Sequence, residues 1–191
     1  MLIKQDFEVA EPVAKVWEFF GDIPRVAACL PGATLTEDLG DDKYGGQVAV
    51  RMGPVKLQFA GTAQITERDE AAKRLVLHAT GAEQRGRGQA AMDVTATLTQ
   101  AGRGTKVAVT QDLQLSGAAA QYGRGMISDV TAVLMRDFSA NLASQIAAAD
   151  RGETAVQAAA PAGGLAIGVR AALMALRRVF RRFFVPYQAA S

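Results

Sequence analysis

Apolar and polar residues alternate from Leu2 to Val9. Ile3, Phe7 and Val9 share one face and Lys4, Asp6 and Glu8 the other, the pattern of a half-buried strand. Glu11-Pro12 then opens a short helix, since proline in a first turn forfeits an N–H that has no partner there anyway. Val13, Val16, Trp17 and Phe20 recur at helical spacing and are expected to point inward. Gly21-Asp22 ends that helix, and Ile23–Leu30 reads as a second short one stopped by Pro31-Gly32.

From Ala33 to Leu115 the period is two. Thr34–Asp38 makes a short strand, and Tyr44, Gly46, Val48, Val50 and Met52 alternate with polar or small residues before a Gly53-Pro54 turn. Val55, Leu57, Phe59, Gly61, Ala63 and Ile65 extend the pattern along one strand. Segments Arg74–Thr80, Gly86–Thr99 and Thr105–Leu115 follow, the last two joined at Ala101-Gly102-Arg103-Gly104. Consecutive strands with short turns predict an antiparallel sheet.

The period returns to that of a helix between Ala118 and Ala149, with Tyr122, Met126, Val130, Val133, Leu134, Phe138, Leu142 and Ile146 as its apolar stripe. Such a helix is on the order of 45 Å long, enough to cross a whole curved sheet. Strand, two short helices, antiparallel strands and one long closing helix is the helix-grip order, an α+β fold whose sheet wraps the last helix. Gly46, Gly61, Ala63, Ala90 and Ala96 are small residues on the face turned to that helix. They leave room for a cavity of the kind small apolar ligands occupy, or they let the interior pack closely; the sequence permits both.

Residues 1–149 therefore form one domain, and 150–164, with Pro161 and Gly163-Gly164 and no apolar period, read as a linker whose ends lie roughly 20 Å apart. Residues 165–186 differ. On a helix, Leu165, Val169, Leu173, Leu176, Phe180 and Phe183 fall on one side and Arg170, Arg177, Arg178, Arg181 and Arg182 on the other. That is the pattern of a helix lying in the headgroup plane, where each arginine near an anionic leaflet contributes about 1 kcal/mol. Packing on its own domain or in a partner's groove is an alternative. Nucleic-acid binding is a third, disfavoured by an exposed Phe/Leu face without base-reading groups.

Net charge is +2 over 191 residues, and the tail's five arginines carry the basic excess. The N-terminus has alternating charges and no apolar core, and no run of about 18 apolar residues occurs, so neither a signal peptide nor a transmembrane helix is expected. A cytoplasmic protein peripheral to the membrane is the expectation.

Chemistry has few candidates. Cys29 and His78 are the only residues of their kinds. Nothing places them together as a nucleophilic pair, and one of each cannot hold zinc. Cys29 reads as a buried thiol and His78 as a surface residue opposite Leu75, Leu77 and Ala79. The glycines of Gly86-Arg87-Gly88 and Gly102-Arg103-Gly104 lie in turns and strands, outside the strand-to-helix setting a phosphate loop requires. Gly123 and Gly125, early in the long helix, suggest either a close approach by a ligand or strand or a frayed first turn.

Several segments together resemble one family. They are Ala28-Cys29-Leu30-Pro31-Gly32-Ala33, Tyr44-Gly45-Gly46, Met52-Gly53-Pro54-Val55, Phe59-Ala60-Gly61-Thr62-Ala63 and Gly86-Arg87-Gly88-Gln89-Ala90. In order along residues 1–149 they resemble the CoxG family of carbon monoxide dehydrogenase subunits, within the SRPBCC/START-like superfamily. The resemblance implies an accessory role beside a molybdenum-containing dehydrogenase of the carbon monoxide dehydrogenase kind, its recruitment to the membrane, and handling of a quinone, menaquinone or ubiquinone. No metal or covalent cofactor is expected from the residues themselves.

On this reading the ligand contacts come from inward-facing apolar side chains: Phe20, Leu30, Tyr44, Val48, Met52, Phe59, Met92, Tyr122, Met126 and Val130. The membrane contacts come from Arg170, Leu173, Leu176, Arg177, Arg178, Phe180, Arg181, Arg182 and Phe183. Two other readings stay open. A polyketide cyclase or dehydratase-like enzyme would need an acid or base from Asp93, Asp112 and His78, all on the less apolar face. A ligand-free membrane anchor or assembly factor would have a solid core.

Overall fold

The computed structural model describes residues 1–151. The linker and tail helix expected over 150–186, with all their membrane-contact residues, lie outside the described residues apart from Asp150 and Arg151. The chain runs through β1 (Leu2–Val9), α1 (Val13–Gly21), α2 (Ile23–Cys29), β2 (Ala33–Gly40), β3 (Lys43–Met52), β4 (Val55–Asp69), β5 (Arg74–Glu83), β6 (Gln89–Ala101), β7 (Gly104–Leu115), a 3₁₀ turn (Gly117–Gln121) and α3 (Arg124–Asp150).

All seven strands form one antiparallel sheet in the order β1-β7-β6-β5-β4-β3-β2. β1 and β3 lie five strand steps apart, about 24 Å if flat. A helix with its side chains is only about 10–12 Å across. Both strands nevertheless pack on α3, so the sheet is curled around it. The curl has local causes. Register shifts interrupt β4 against β5 at Ile65/Glu67 and β2 against β3 at Leu35/Glu37 and Asp38/Gly40; such irregularities bend the strand that carries them. At Gly61 the backbones of β4 and β5 press together, and a Cβ there would stand 1.9 Å from the Thr80 carbonyl oxygen. Glycine at this position serves the bend.

α1 buries Val16, Trp17, Phe19 and Phe20, and α2 starts on Asp22, whose carboxylate accepts from the Arg25 N–H at 3.1 Å. The long helix departs from expectation at its start. The alanines of residues 118–120 suit a helix, but Gly117 takes φ 66°, residues 117–121 form a 3₁₀ turn, and α3 begins only after Gly123. Its inward stripe also shifts. Ile127, Phe138, Leu142 and Ile146 are buried, whereas Met126 and Val133 are 44% and 47% exposed. Spacing by four drifts about 40° per step on a helix of 3.6 residues per turn, so Met126 stands about 120° round from Phe138 and Ile127 only about 20°.

The interior consists of two apolar clusters. The larger joins α1, α2, Val9, Ile65, Leu75, Ala96, Leu98, Val107 and Val109 to Phe138, Leu142 and Ile146 of α3. Phe7 meets Phe138 edge to face at 5.9 Å. The smaller gathers Ile3, Met52, Leu57 and Ala119 around Ile127, at the other end of the helix.

Candidate ligand site

Strand register places the seam between these clusters. On the face turned to α3, one row runs Tyr44, Ala63, Ala79, Met92 and Leu113, and the next Gly46, Gly61, Gly81, Ala90 and Leu115. The members from the three middle strands, Ala63, Ala79, Met92, Gly61, Gly81 and Ala90, belong to neither cluster. Five are alanine or glycine, so the sheet presents little side-chain bulk there. Leu134 of α3, one turn from Val130 and Phe138, likewise belongs to neither cluster. Val48, Phe59, Met92, Val130 and Leu134 all remain half-buried. An apolar seam with little side-chain bulk and incomplete burial is the kind of place a hydrophobic molecule enters.

The expected contact residues distribute unevenly around it. Val48 and Met92 are half-buried and in neither cluster. Phe59, Tyr122 and Val130 pack half-buried on the smaller cluster, and Leu30 and Tyr44 on the larger. Phe20 and Met52, at 5% and 6% exposure, are core side chains. Met126 lies off the inward stripe. Leu134, a stripe residue outside the expected contacts, belongs with this group. No described strand approaches Gly123 or Gly125, since a Cβ at either would meet nothing within 4 Å.

Two glutamines sit on the same face, where the alternation of apolar residues does not mark them. Gln5 follows Ile3 with the parity of Phe7, and Gln111 lies between Val109 and Leu113. Gln111 is 8% exposed, and the Oε1 of Gln5 is sealed from solvent without a hydrogen-bond partner.

Glu83 is a charged group on an inward position, opposite Phe59. Its carboxylate accepts from the backbone N–H of Arg85 (2.9 Å) and Arg87 (3.2 Å) and pairs with the Arg87 guanidinium at 3.3 Å. Burial pushes this carboxyl upward, but the Arg87 side chain and the two backbone N–H groups outweigh that and hold it below the usual carboxylate range. The motif Gly86-Arg87-Gly88 thus builds a loop. A Cβ on Gly88 would stand 2.1 Å from the Ser116 carbonyl oxygen, and Ala118 donates to the Arg87 carbonyl at 2.7 Å. A polar depression of about 230 Å³ lies here, lined by Pro54, Val55, Lys56, Gln58, Glu83, Gln84, Arg85 and Arg87. Among the described residues, Arg51, Lys56, Arg85 and Arg124 at this loop end enter no ion pair.

The candidates for chemistry do not meet. Cys29 is fully buried in the larger cluster, and burial pushes its thiol up to about 11. His78 and Asp93 face each other across β5 and β6 on the convex side, with Nδ1 and Oδ1 2.7 Å apart, both exposed. Asp112, also exposed, pairs with the N-terminal amine at 3.0 Å. Among the described residues no three His, Cys, Asp or Glu side chains group as metal ligands, and no helix is long and apolar enough to cross a membrane.

A seven-stranded antiparallel sheet curled around a long last helix is the helix-grip fold of START-like proteins. Solved structures share it. A conserved protein from Geobacillus kaustophilus matches with TM-score 0.69 and 23% identity over 77% of this chain and 95% of its own. The Zhui aromatase/cyclase from Streptomyces sp. R1128 matches with TM-score 0.58 and 15% identity over 81% and 99%. Ara h 8.0201 matches with TM-score 0.50 and 15% identity over 78% and 98%. The profile of CoxG, a family of carbon monoxide dehydrogenase subunits, matches residues 6–147, and the chain belongs to that family. No curated protein sequence matches it.

Proposed function

We propose that this chain is a non-catalytic carrier. It takes an apolar ligand, a membrane quinone such as menaquinone or ubiquinone, into the seam between its two clusters. It then presents the ligand to a molybdenum hydroxylase of the carbon monoxide dehydrogenase kind at the cytoplasmic face of the membrane. The observation that carries this reading is the incompletely buried apolar seam over Ala63, Ala79, Met92 and Gly61. Family membership supports the partner. The basic, Phe/Leu-faced segment 165–186 supports contact with an anionic bilayer, as do the unpaired cations of the loop end. A cyclase-like enzyme would need an acid or base facing the ligand, and His78, Asp93 and Asp112 face away from the helix-covered side.

The test is solvent extraction and mass spectrometry of the full chain purified from its own host, beside Met92→Trp. A quinone present in the first and lost from the folded variant supports the carrier. Absence of any lipophilic molecule from the parent chain leaves an anchor or assembly factor as the better account.

A further inference from the structure

The two inward glutamines stand where apolar packing would be cheaper. Gln111 has Ile3 and Val94 as cross-strand neighbours and Val109 and Leu113 beside it on the same face. Gln5 lies opposite Val109, with Ile3 and Phe7 as same-face neighbours. Each separates a residue packed with the larger cluster from one packed with the smaller: Phe7 from Ile3 on β1, and Val109 from Leu113 on β7. They are therefore diagonal neighbours at the seam, close enough for long side chains to meet. Yet the Oε1 of Gln5 is sealed from solvent without a hydrogen-bond partner, Gln111 beside it included, and the Gln111 side chain is itself 8% exposed. Buried polar groups without partners are rare in folded proteins and ask for a reason.

Resting on the carrier reading above, we propose that the Gln5–Gln111 amides are the polar recognition point of the seam. They would bind the ring oxygen of a flat apolar ligand that carries a carbonyl or hydroxyl. The chemistry of a primary amide suits a quinone in particular. Its N–H donates to the carbonyl of the oxidised form, and its C=O accepts from the hydroxyl of the reduced form. One amide can thus hold the ligand in either redox state, as a carrier loaded at a membrane and emptied at an enzyme requires. The apolar rows supply affinity and the glutamines supply orientation and discrimination.

The full chain is titrated calorimetrically with 2-methyl-1,4-naphthoquinone and with 2-methylnaphthalene, which has nearly the same shape and no oxygen. Gln5→Leu and Gln111→Leu are each expected to weaken the naphthoquinone by about 5- to 30-fold and leave the hydrocarbon unchanged or tighter. The ligand-free Gln5→Leu variant should melt no lower than the parent, because leucine removes a sealed, unpartnered amide oxygen from an apolar setting. Equal weakening of both probes, no weakening of the quinone, or lower melting of ligand-free Gln5→Leu would each overturn the assignment while leaving the apolar seam as a site. Failure of both probes to bind the parent chain would remove the carrier reading and this proposal with it.

Discussion

The Asn141 side-chain amide donates to the Cys29 carbonyl oxygen at 2.9 Å, tying the middle of α3 to the last turn of α2. The final carbonyls of a helix have no intrahelical partner, so this contact both caps α2 and holds the closing helix against it. Asn141→Leu leaves that half-buried carbonyl unsatisfied and is expected to cost about 1–3 kcal/mol, read as a lower urea midpoint with an unchanged slope. A variant within about 0.5 kcal/mol of the parent would show that the cluster alone positions α3.

Two glycines give opposite signs. Gly61→Val brings a branched side chain onto the Thr80 carbonyl, where even a Cβ would stand at 1.9 Å. Overpacking of this kind costs about 1–3 kcal/mol or more. Gly125→Ala, in the first turn of α3 with nothing within 4 Å of the new Cβ, is expected to stabilise by about 0.5–1 kcal/mol. Thermal melts of the two variants in one buffer check both. A tolerated Gly61→Val would mean that the sheet bend has another cause.

Glu83 makes stability depend on pH at the acid end. Its carboxyl is held below its ordinary value in the folded chain, so the unfolded chain binds the proton more readily. The stabilisation is therefore present above an ordinary carboxylate pKa of about 4.3 and is lost as pH falls through the lower folded value. Glu83→Gln should lower the urea midpoint at neutral pH and flatten the fall in stability below an ordinary carboxylate pKa of about 4.3. The parent and the variant falling in parallel on the acid side would assign the acid limb to other carboxylates.

Most of the architecture is legible in the sequence because one face of each strand is covered, and a covered face writes itself as alternation. Val107 and Val109, or Leu75 and Leu77, can be read no other way. Legibility fails where a residue's type contradicts its position. Gln5, Gln111 and Glu83 all keep the inward parity of their strands, but polar residues are discounted when a core is sought. Met126 misleads for a geometric reason, since four-residue spacing accumulates error that three turns make decisive. Ala118–Ala120 mislead by propensity, which a glycine on either side overrides. Gly61 reads as spare volume, whereas the close approach of two backbones is a tertiary fact that no single strand records.

Cys29 provides a probe of opening. Burial holds its thiol at about 11, and the thiolate is the reactive form, so at pH 8 the folded chain should react with a thiol reagent only as fast as it opens. The labelling rate is expected to rise steeply with urea and to match the unfolding rate from fluorescence at low urea. Prompt labelling in native buffer would mean that α2 detaches locally from the larger cluster.

His78 and Asp93 decide whether chemistry belongs on the convex face. Their exposed pair has the geometry of an ion pair with solvent on it, and such pairs contribute little to stability. His78→Ala is therefore expected to change stability by no more than about 0.5 kcal/mol. It should also leave naphthoquinone affinity unchanged, because the sheet itself stands between this pair and the seam. Assaying the same variant for quinone delivery to a molybdenum dehydrogenase separates two roles the face could have. Unchanged delivery agrees with a carrier whose work is done on the concave side. A loss of tenfold or more, with binding intact, would place the dehydrogenase contact or a proton-handling step on His78.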